Sequence, residues 1–535
     1  MKPNQKQYII PSERVQSQIK DGIKRLGVII EESYGPSGKN ILLDSTKTSN
    51  PELLKNGSKI IRSLRTSKPV ENLIFLVLED CFQKINSTSG DGTKTFFLIT
   101  SFLILNGFKH IIQDSQALET KIGITKTINY ALIILQDKTI PIVNKNFWNK
   151  VIDHYIVEDD DLQHIFKQAF DKIGKSGDLK VKTGTGKNTD LIIEQGIQIN
   201  RGFFSPYFIT DLEKKIVVFN NPYILITSQK IGVEDGCLFN LLERIIYEKR
   251  PLVIISPDID DQALSSLILN KLNGILDIVY IKVPTVSQSD NTIFEDLALY
   301  TNAKLINYSR EWKIMQRSDL GQADRILVSK TKSIFWAKYS DQQKIIKKKC
   351  QELKQQILAS NSDYENEKRE TRRKNLSGTT AIINIGGITE LEIAERHSRA
   401  ELGLIGAKAC LYEGVLPGGG FAFVHLTEEV ENWARSNFYG NSLLGSSLVI
   451  KSLIKPIQVL LTQEVNKSTI ILKYLTSIDQ IKRINDIHSS YDVKQDKIVN
   501  INESGIIDSF KSIRLGLQTA ISITYSILSI ASMII

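Results

Sequence analysis

The feature that most constrains the fold of this chain is a change of hydrophobic period, and its reversal, along 535 residues. Up to about residue 140, apolar residues recur at helical spacing, most clearly in 13–32 and 72–86, with glycine breaks at 35–38 and 90–92. The middle differs. Short runs such as YILIT (223–227), LVIIS (252–256) and IVYIKV (278–283) alternate with amphipathic helices expected at 238–249 and 261–273. Alternation of this kind predicts an α/β layer. Beyond residue 413 the helical period returns. The order helical, α/β, helical predicts a discontinuous helical domain with an α/β unit inserted in it. Between them, the charged stretch 341–374 with SNSD at its centre is expected to form an antiparallel pair of exposed helices.

Composition removes several function classes. With 41% hydrophobic and 24% charged residues, the chain belongs with globular proteins rather than disordered or low-complexity ones. The net charge of +9 is spread thinly, with no aromatic-interleaved basic patch, so no nucleic-acid partner is expected. Cys81, Cys237, Cys350 and Cys410 lie far apart without a C-x-x-C pair, which argues against a disulfide framework or a zinc site. The apolar runs 96–108 and 521–535 fall short of the ~20 residues that span a bilayer, so both are expected to be core helices and no membrane role is expected. The N-terminus lacks a signal-peptide apolar region, which predicts a protein that is not secreted.

Three glycine-centred loops carry the chemistry. SYGPSGKN (33–40) follows a helix, SGDGTKT (89–95) opens an apolar helix, and EGVLPGGGFAF (413–423) opens another. Glycines let backbone N–H groups approach an anion closely, and a helix N-terminus adds favourable partial charge. Any one loop alone is more simply a helix-start turn, and SGDGTKT is not a Walker A loop, which needs Gly directly before its Lys. Three such loops, with the hard oxygen ligand Asp91 inside one of them, favour a nucleotide pocket assembled from both ends of the chain.

Taken in order, SYGPSGKNILLD, KNG (55–57), GDGTKT, RGFFSPYF (201–208), the charged helix pair, EGVLPGGG and GIID (505–508) resemble the group I chaperonins, a family that includes bacterial GroEL and its plastid and mitochondrial counterparts. The resemblance covers almost the whole chain at near-constant spacing. It implies a multidomain α and α/β fold of GroEL type. The equatorial domain would comprise 1–137 and 413–535, a small intermediate domain 138–194 and 379–412, and an inserted apical domain 195–378. It implies an ATP-binding chaperone that captures non-native polypeptides in rings of seven subunits, with a GroES-like co-chaperonin as partner; the alternative is a structural or regulatory subunit in mixed rings with a standard paralogue. The expected compartment is the plastid stroma if the chain is organelle-encoded, and otherwise the cytoplasm.

Carried over residue by residue, the resemblance implies a nucleotide site of Ser33, Tyr34, Gly35, Pro36, Lys55, Asp91, Gly92, Thr93, Lys94, Thr95, Gly419 and Asp508, with Asp91 holding Mg²⁺. It implies a polypeptide-binding groove of Phe203, Phe204, Tyr207, Phe208, Phe239, Leu242, Leu264, Ile268 and Leu269, all facing outward. From helical spacing alone, core packing is the plainer reading of those side chains.

The departures point to impaired hydrolysis. The two carboxylates on which the family's hydrolysis depends are replaced by Asn56 and Leu402, and neither side chain can act as a base. Loss of a positioned acid–base group costs roughly 10²–10⁴-fold. Glu401, beside Leu402, is the alternative base, although neighbours on a helix point ~100° apart. Lys94 replaces the middle threonine of its loop, Asp492 replaces an adenine-side asparagine, and HYIV (154–157) replaces the hinge sequence. Two latching ion pairs, Asp159 with Arg399 and Arg201 with Glu390, keep their charges.

Overall fold

In a computed structural model, the described residues are 9–43, 52–54, 56–110, 114–157, 159–174, 178–184, 186–211, 214–232, 237–284, 291–308, 311–312, 315–337, 340–360, 362–377, 379–464, 487–495, 497–530 and 532–534. The chain divides into two compact units, one made of residues 1–167 with 388–535, the other of 168–387.

The first unit is helical because its apolar residues keep one face per helix. Ser12–Glu32 buries Val15, Ile19, Ile23, Leu26 and Ile30, a spacing of three and four that matches the helical repeat. Pro69–Ser89 packs beside it, and Thr93–His110 is apolar on nearly all sides because it runs through the core, as expected of the run 96–108. Asp114–Asp137, Phe421–Asn437, Gly440–Glu464 and Phe510–Leu528 complete the bundle. By length and composition Gly440–Gln463 could cross a membrane, but Leu448, Val449 and Leu453 belong to this core. Both ends of the described chain meet in one antiparallel pair, Ile9–Pro11 with Ser532–Ile534.

The second unit holds a seven-stranded sheet. Tyr223–Ile226, Leu252–Ser256 and Ile278–Lys282 are its parallel part, every residue in them buried except Lys282. Strands buried on both faces show continuous apolar runs rather than alternation, which is why these segments stood out in the sequence. Helices Cys237–Ile246 and Asp261–Leu272 fall where the spacing put them. Gly321–Val328, Ser333–Ala337 and Ile197–Ile199 extend the sheet antiparallel, and Val217–Asn220 pairs with the first of these. A separate sheet joins Asp178–Thr183, Thr379–Ile385 and Asp190–Gln195.

The charged helix pair exists, as Ser340–Ala359 and Asp363–Ser377, but it is not simply exposed. Ile346, Leu353 and Leu376 enter the core of the second unit. Arg372 clamps the half-buried side of the pair to Asp296 with bonds of 2.7–2.9 Å. Its long charged neighbours hid a narrow apolar stripe, as amphipathic Lys and Arg stems do.

Candidate functional site

The first loop begins where the helix Ser12–Glu32 ends. Ser33, fully buried, is its C-cap, and Gly38 N donates to Gly35 O at 3.2 Å to close a turn over Pro36 and Ser37. Tyr34 is buried with its hydroxyl 3.0 Å from Thr95 Oγ1, and burial pushes that phenol well above its ordinary pKa. The first and second loops are thereby joined. They are joined again one residue away, where the Lys94 ammonium donates to the Ser33 carbonyl.

Gly90 ends the helix Pro69–Ser89 at φ 72°, a left-handed conformation that glycine adopts without steric cost. A Cβ there would also lie 2.4 Å from the Leu402 carbonyl, so the second loop rests directly on the helix Glu390–Glu413. Asp91 is exposed at the tip, and the next helix starts at Thr93. Asn56 caps the helix Gly57–Ser63, its Oδ1 accepting from Ser58 N and Ser58 Oγ at 2.8 Å each. A Cβ on Gly57 would lie 3.2 Å from Lys94 Cγ, which brings this turn against the second loop too. Lys55 lies outside the described residues.

The third loop is positioned by a two-strand ladder, Val415–Pro417 with Ile507–Ser509, in which Leu416 pairs with Asp508. The half-buried Asp508 carboxylate accepts from the backbone N–H groups of Gly419 and Gly420. Burial, and then the negative charge of Asp91, push its pKa up to about 7, against the pull of those two donors. Asp91, Gly92, Thr95, Asp508 and Ser512 line one cleft, over an apolar floor that includes Phe96. Phe421 packs with Ile457 and Leu461, and Gln463 on the same helix donates to the Glu31 carbonyl, tying the third loop back to the first. Two carboxylates facing one another beside backbone donors form a donor set suited to a divalent cation with a polyphosphate.

The two positions where the chain departs from the family's hydrolytic carboxylates adjoin the second loop, Leu402 through its carbonyl beside Gly90 and Asn56 through the turn that meets Lys94. Leu402 is half-buried, and Glu401 beside it is exposed. Asp492 has its carboxylate in a turn, accepting from Lys494 N at 2.9 Å and Gln495 N at 3.1 Å. Sequence reading missed a half-buried cluster formed by His154 and Tyr155 of HYIV and the helix bearing Leu402. The Cys410 thiol donates to the Tyr155 hydroxyl at 3.6 Å, and a Cβ on Gly406 would lie 2.4 Å from the Tyr155 ring. His154 stands edge-on to Tyr155 at 5.0 Å, and burial lowers its pKa against the opposing charge of Asp91. Replacement of the hinge sequence was the available signal. Asp159 does form a latch, but with Arg396 at 2.7 Å. Arg399, the expected partner, instead binds Glu395 and the Val157 carbonyl. Arg396 and Arg399 are one helical turn apart, so spacing alone could not choose between them.

In the second unit the expected groove residues separate into two sets. Phe208 and Leu242 are core, with 0% and 4% exposure, which corrects the expectation that they face outward. Phe208 sits in a short 3-10 turn, Pro206–Phe208, that packs against the helix Asp261–Leu272, and the turn drives its ring inward. Phe204, Tyr207 and Leu269 are 48%, 62% and 58% exposed. Phe203, Leu264 and Ile268 are half-buried beneath them. The side chain of Phe239 lies outside the described residues. Leu272, 60% exposed and one turn beyond Leu269, extends the apolar surface and was not foreseen. Lys282 borders it, with its ammonium 5.6 Å from the Phe204 ring centre and 2.6 Å from Asp258.

Residues 26–535 match the model of the TCP-1/cpn60 chaperonin family. The chaperonin gp146 from the bacteriophage EL 2 (Pseudomonas aeruginosa), crystallised in the presence of ATP-BeFx, is structurally similar in two crystal forms, with TM-scores of 0.76 and 0.66. Identity is 16%, and the match covers 98% of this chain and 99% of the phage protein.

Proposed function

The chain belongs to the TCP-1/cpn60 chaperonin family, and from that premise we propose that it is an ATP-binding chaperone subunit that captures non-native polypeptides in a ring assembly and hydrolyses its nucleotide slowly. The observation that carries the nucleotide reading is one cleft bearing Asp91 of the second loop and Asp508, which is held by Gly419 and Gly420 of the third, with the first loop bonded to the second through Tyr34 and Lys94. The presence of ATP-BeFx in the phage chaperonin crystals supports it.

Each residue has a definable task. Backbone N–H groups in the first turn of Thr93–His110 would face the phosphates, while Gly92 N donates to Asp91 Oδ1 at 2.6 Å. Asp91 would hold Mg²⁺, which would supply charge neutralisation and Lewis acidity there. Asp508, fixed by Gly419 and Gly420, orients the remainder of the nucleotide. Among the described residues, neither position 56 nor position 402 carries a base. The amide at position 56 serves as a helix cap, and an aliphatic side chain occupies position 402. Binding therefore outlasts chemistry, and the subunit rests in its nucleotide-bound form.

Capture relies on Phe204, Tyr207, Leu269 and Leu272, exposed apolar side chains over a rigid sheet. A surface that accepts many partners needs apolar area rather than fixed hydrogen-bond geometry. The test pairs calorimetric titration with Mg-ATP against suppression of aggregation of a chemically unfolded protein. Binding in both assays is expected. Failure in both contradicts the proposal.

A further inference from the structure

The carbonyls that end the helix Ser12–Glu32 point toward the first loop, and each has an identified partner. Ile29 O accepts from Ser33 N at 3.2 Å and Ile30 O from Ser33 Oγ at 3.2 Å. Glu31 O accepts from Tyr34 N and from Gln463, and Glu32 O accepts from Lys39 N at 2.9 Å. Ser33 O accepts from the Lys94 ammonium, a full charge brought from another loop. A helix C-terminus carries partial negative charge, and Ser33 is buried away from water. An anionic ligand in the adjacent loops would be repelled by that pole unless a cation stood beside it.

The Lys94 side chain reaches this place across three loops. Its backbone opens the helix after Asp91, its Cγ passes the Asn56–Gly57 turn, and its ammonium ends at Ser33. We propose that Lys94 is a tethered monovalent cation, which by binding the Ser33 carbonyl holds the first loop, the second loop and the Asn56–Gly57 turn in register around a nucleotide polyphosphate and makes a free monovalent cation unnecessary there. The inference rests on the nucleotide-binding reading above. A tether gives the ammonium a high effective concentration at the carbonyl, so its occupancy is independent of the surrounding salt.

Chemical rescue is the decisive experiment. Mg-ATP affinity of the wild-type protein is measured in sodium, potassium and ammonium chloride at one ionic strength, and then for Lys94→Ala and Lys94→Thr. Wild-type affinity is expected to be the same in all three salts. Each variant is expected to lose about ten- to a hundredfold in sodium, the range for a hydrogen bond to a charged group. Ammonium or methylammonium should restore most of that loss, whereas tetramethylammonium, with no N–H to donate, should not. Circular dichroism and the melting temperature confirm that the variants are folded, and the threonine variant keeps a polar side chain if the alanine variant is not. Variants that bind as wild type, or folded variants whose loss no ammonium ion restores, overturn this role for Lys94 alone. A wild-type protein that binds no nucleotide overturns the nucleotide reading and this inference with it.

Discussion

The two candidate sites of this molecule are built on opposite physical terms. In the first unit, backbone groups and buried charge define the site, with Asp508 held by two N–H donors and Ser33 by an ammonium. In the second unit, the exposed side chains Tyr207, Leu269 and Leu272 lie above a sheet whose parallel strands are buried almost throughout. A site made of backbone geometry tolerates little substitution at its glycines and none at its charges. A site made of apolar area tolerates exchange of one large apolar side chain for another, provided that the layer beneath remains intact.

The sharpest way to break that contrast is to confuse surface with core in the second unit. Phe208→Ser removes a fully buried ring and leaves a hydroxyl in its place, so it should destabilise the second unit by about 3–5 kcal/mol in denaturant unfolding. Leu269→Ser should leave unfolding almost unchanged and weaken capture of an unfolded protein, because a 58% exposed side chain contributes little to the core. Equal destabilisation by both would mean that the exposed set is not a separate layer.

Charge gives the next largest effect. Asp91→Ala should weaken Mg-ATP binding at least about tenfold, since a hard ligand and its charge are removed together. Asp508 is expected to act differently on stability. Its folded pKa, about 7, stands above the ordinary aspartate value of 3.8, so between those values the folded state holds a proton that the unfolded state releases. Its contribution is therefore present in full below the unfolded pKa and is lost as pH rises to about 7. Asp508→Asn cannot ionise, so its melting temperature should exceed that of wild type by a margin that opens from acid pH and levels off above neutrality. The same variant should bind nucleotide less well. A constant margin across the pH range would show that the carboxyl is not strained by burial and by Asp91.

The smallest effects concern the latch. Arg396 and Asp159 are both mostly buried and bonded at 2.7 Å, so Arg396→Ala should cost about 1–3 kcal/mol. Arg399→Ala removes an exposed pair on one helix with Glu395 and should cost under about 1 kcal/mol. The reverse order would restore the pairing expected from sequence.

What the sequence disclosed follows from the same contrast. The parallel strands and the helices between them were legible because burial on both faces imposes continuous apolar runs, and the helix period is unmistakable over three turns or more. The second glycine loop was legible because Gly90 must adopt a conformation that other residues resist. Phe208 and Tyr207 could not be separated, being adjacent aromatic residues whose burial is decided by a 3-10 turn. Nor could spacing foretell that Lys94 reaches Ser33, 61 positions away, or that Cys410 meets Tyr155. Such contacts depend on tertiary packing and leave no periodic trace.

On the proposed reading, this site keeps nucleotide binding and has lost the groups that aim and deprotonate water. Single-turnover hydrolysis of ATP, with protein in excess, tests it on wild type and on Asn56→Asp combined with Leu402→Asp. Aspartate can keep the helix cap at position 56, so the first change should be tolerated. Slow turnover by wild type at full occupancy is expected, with turnover at least about a hundredfold faster in the double variant. Wild-type turnover as fast as that of the double variant, or abolished by Glu401→Gln, would contradict it and identify a base that the cleft geometry does not reveal.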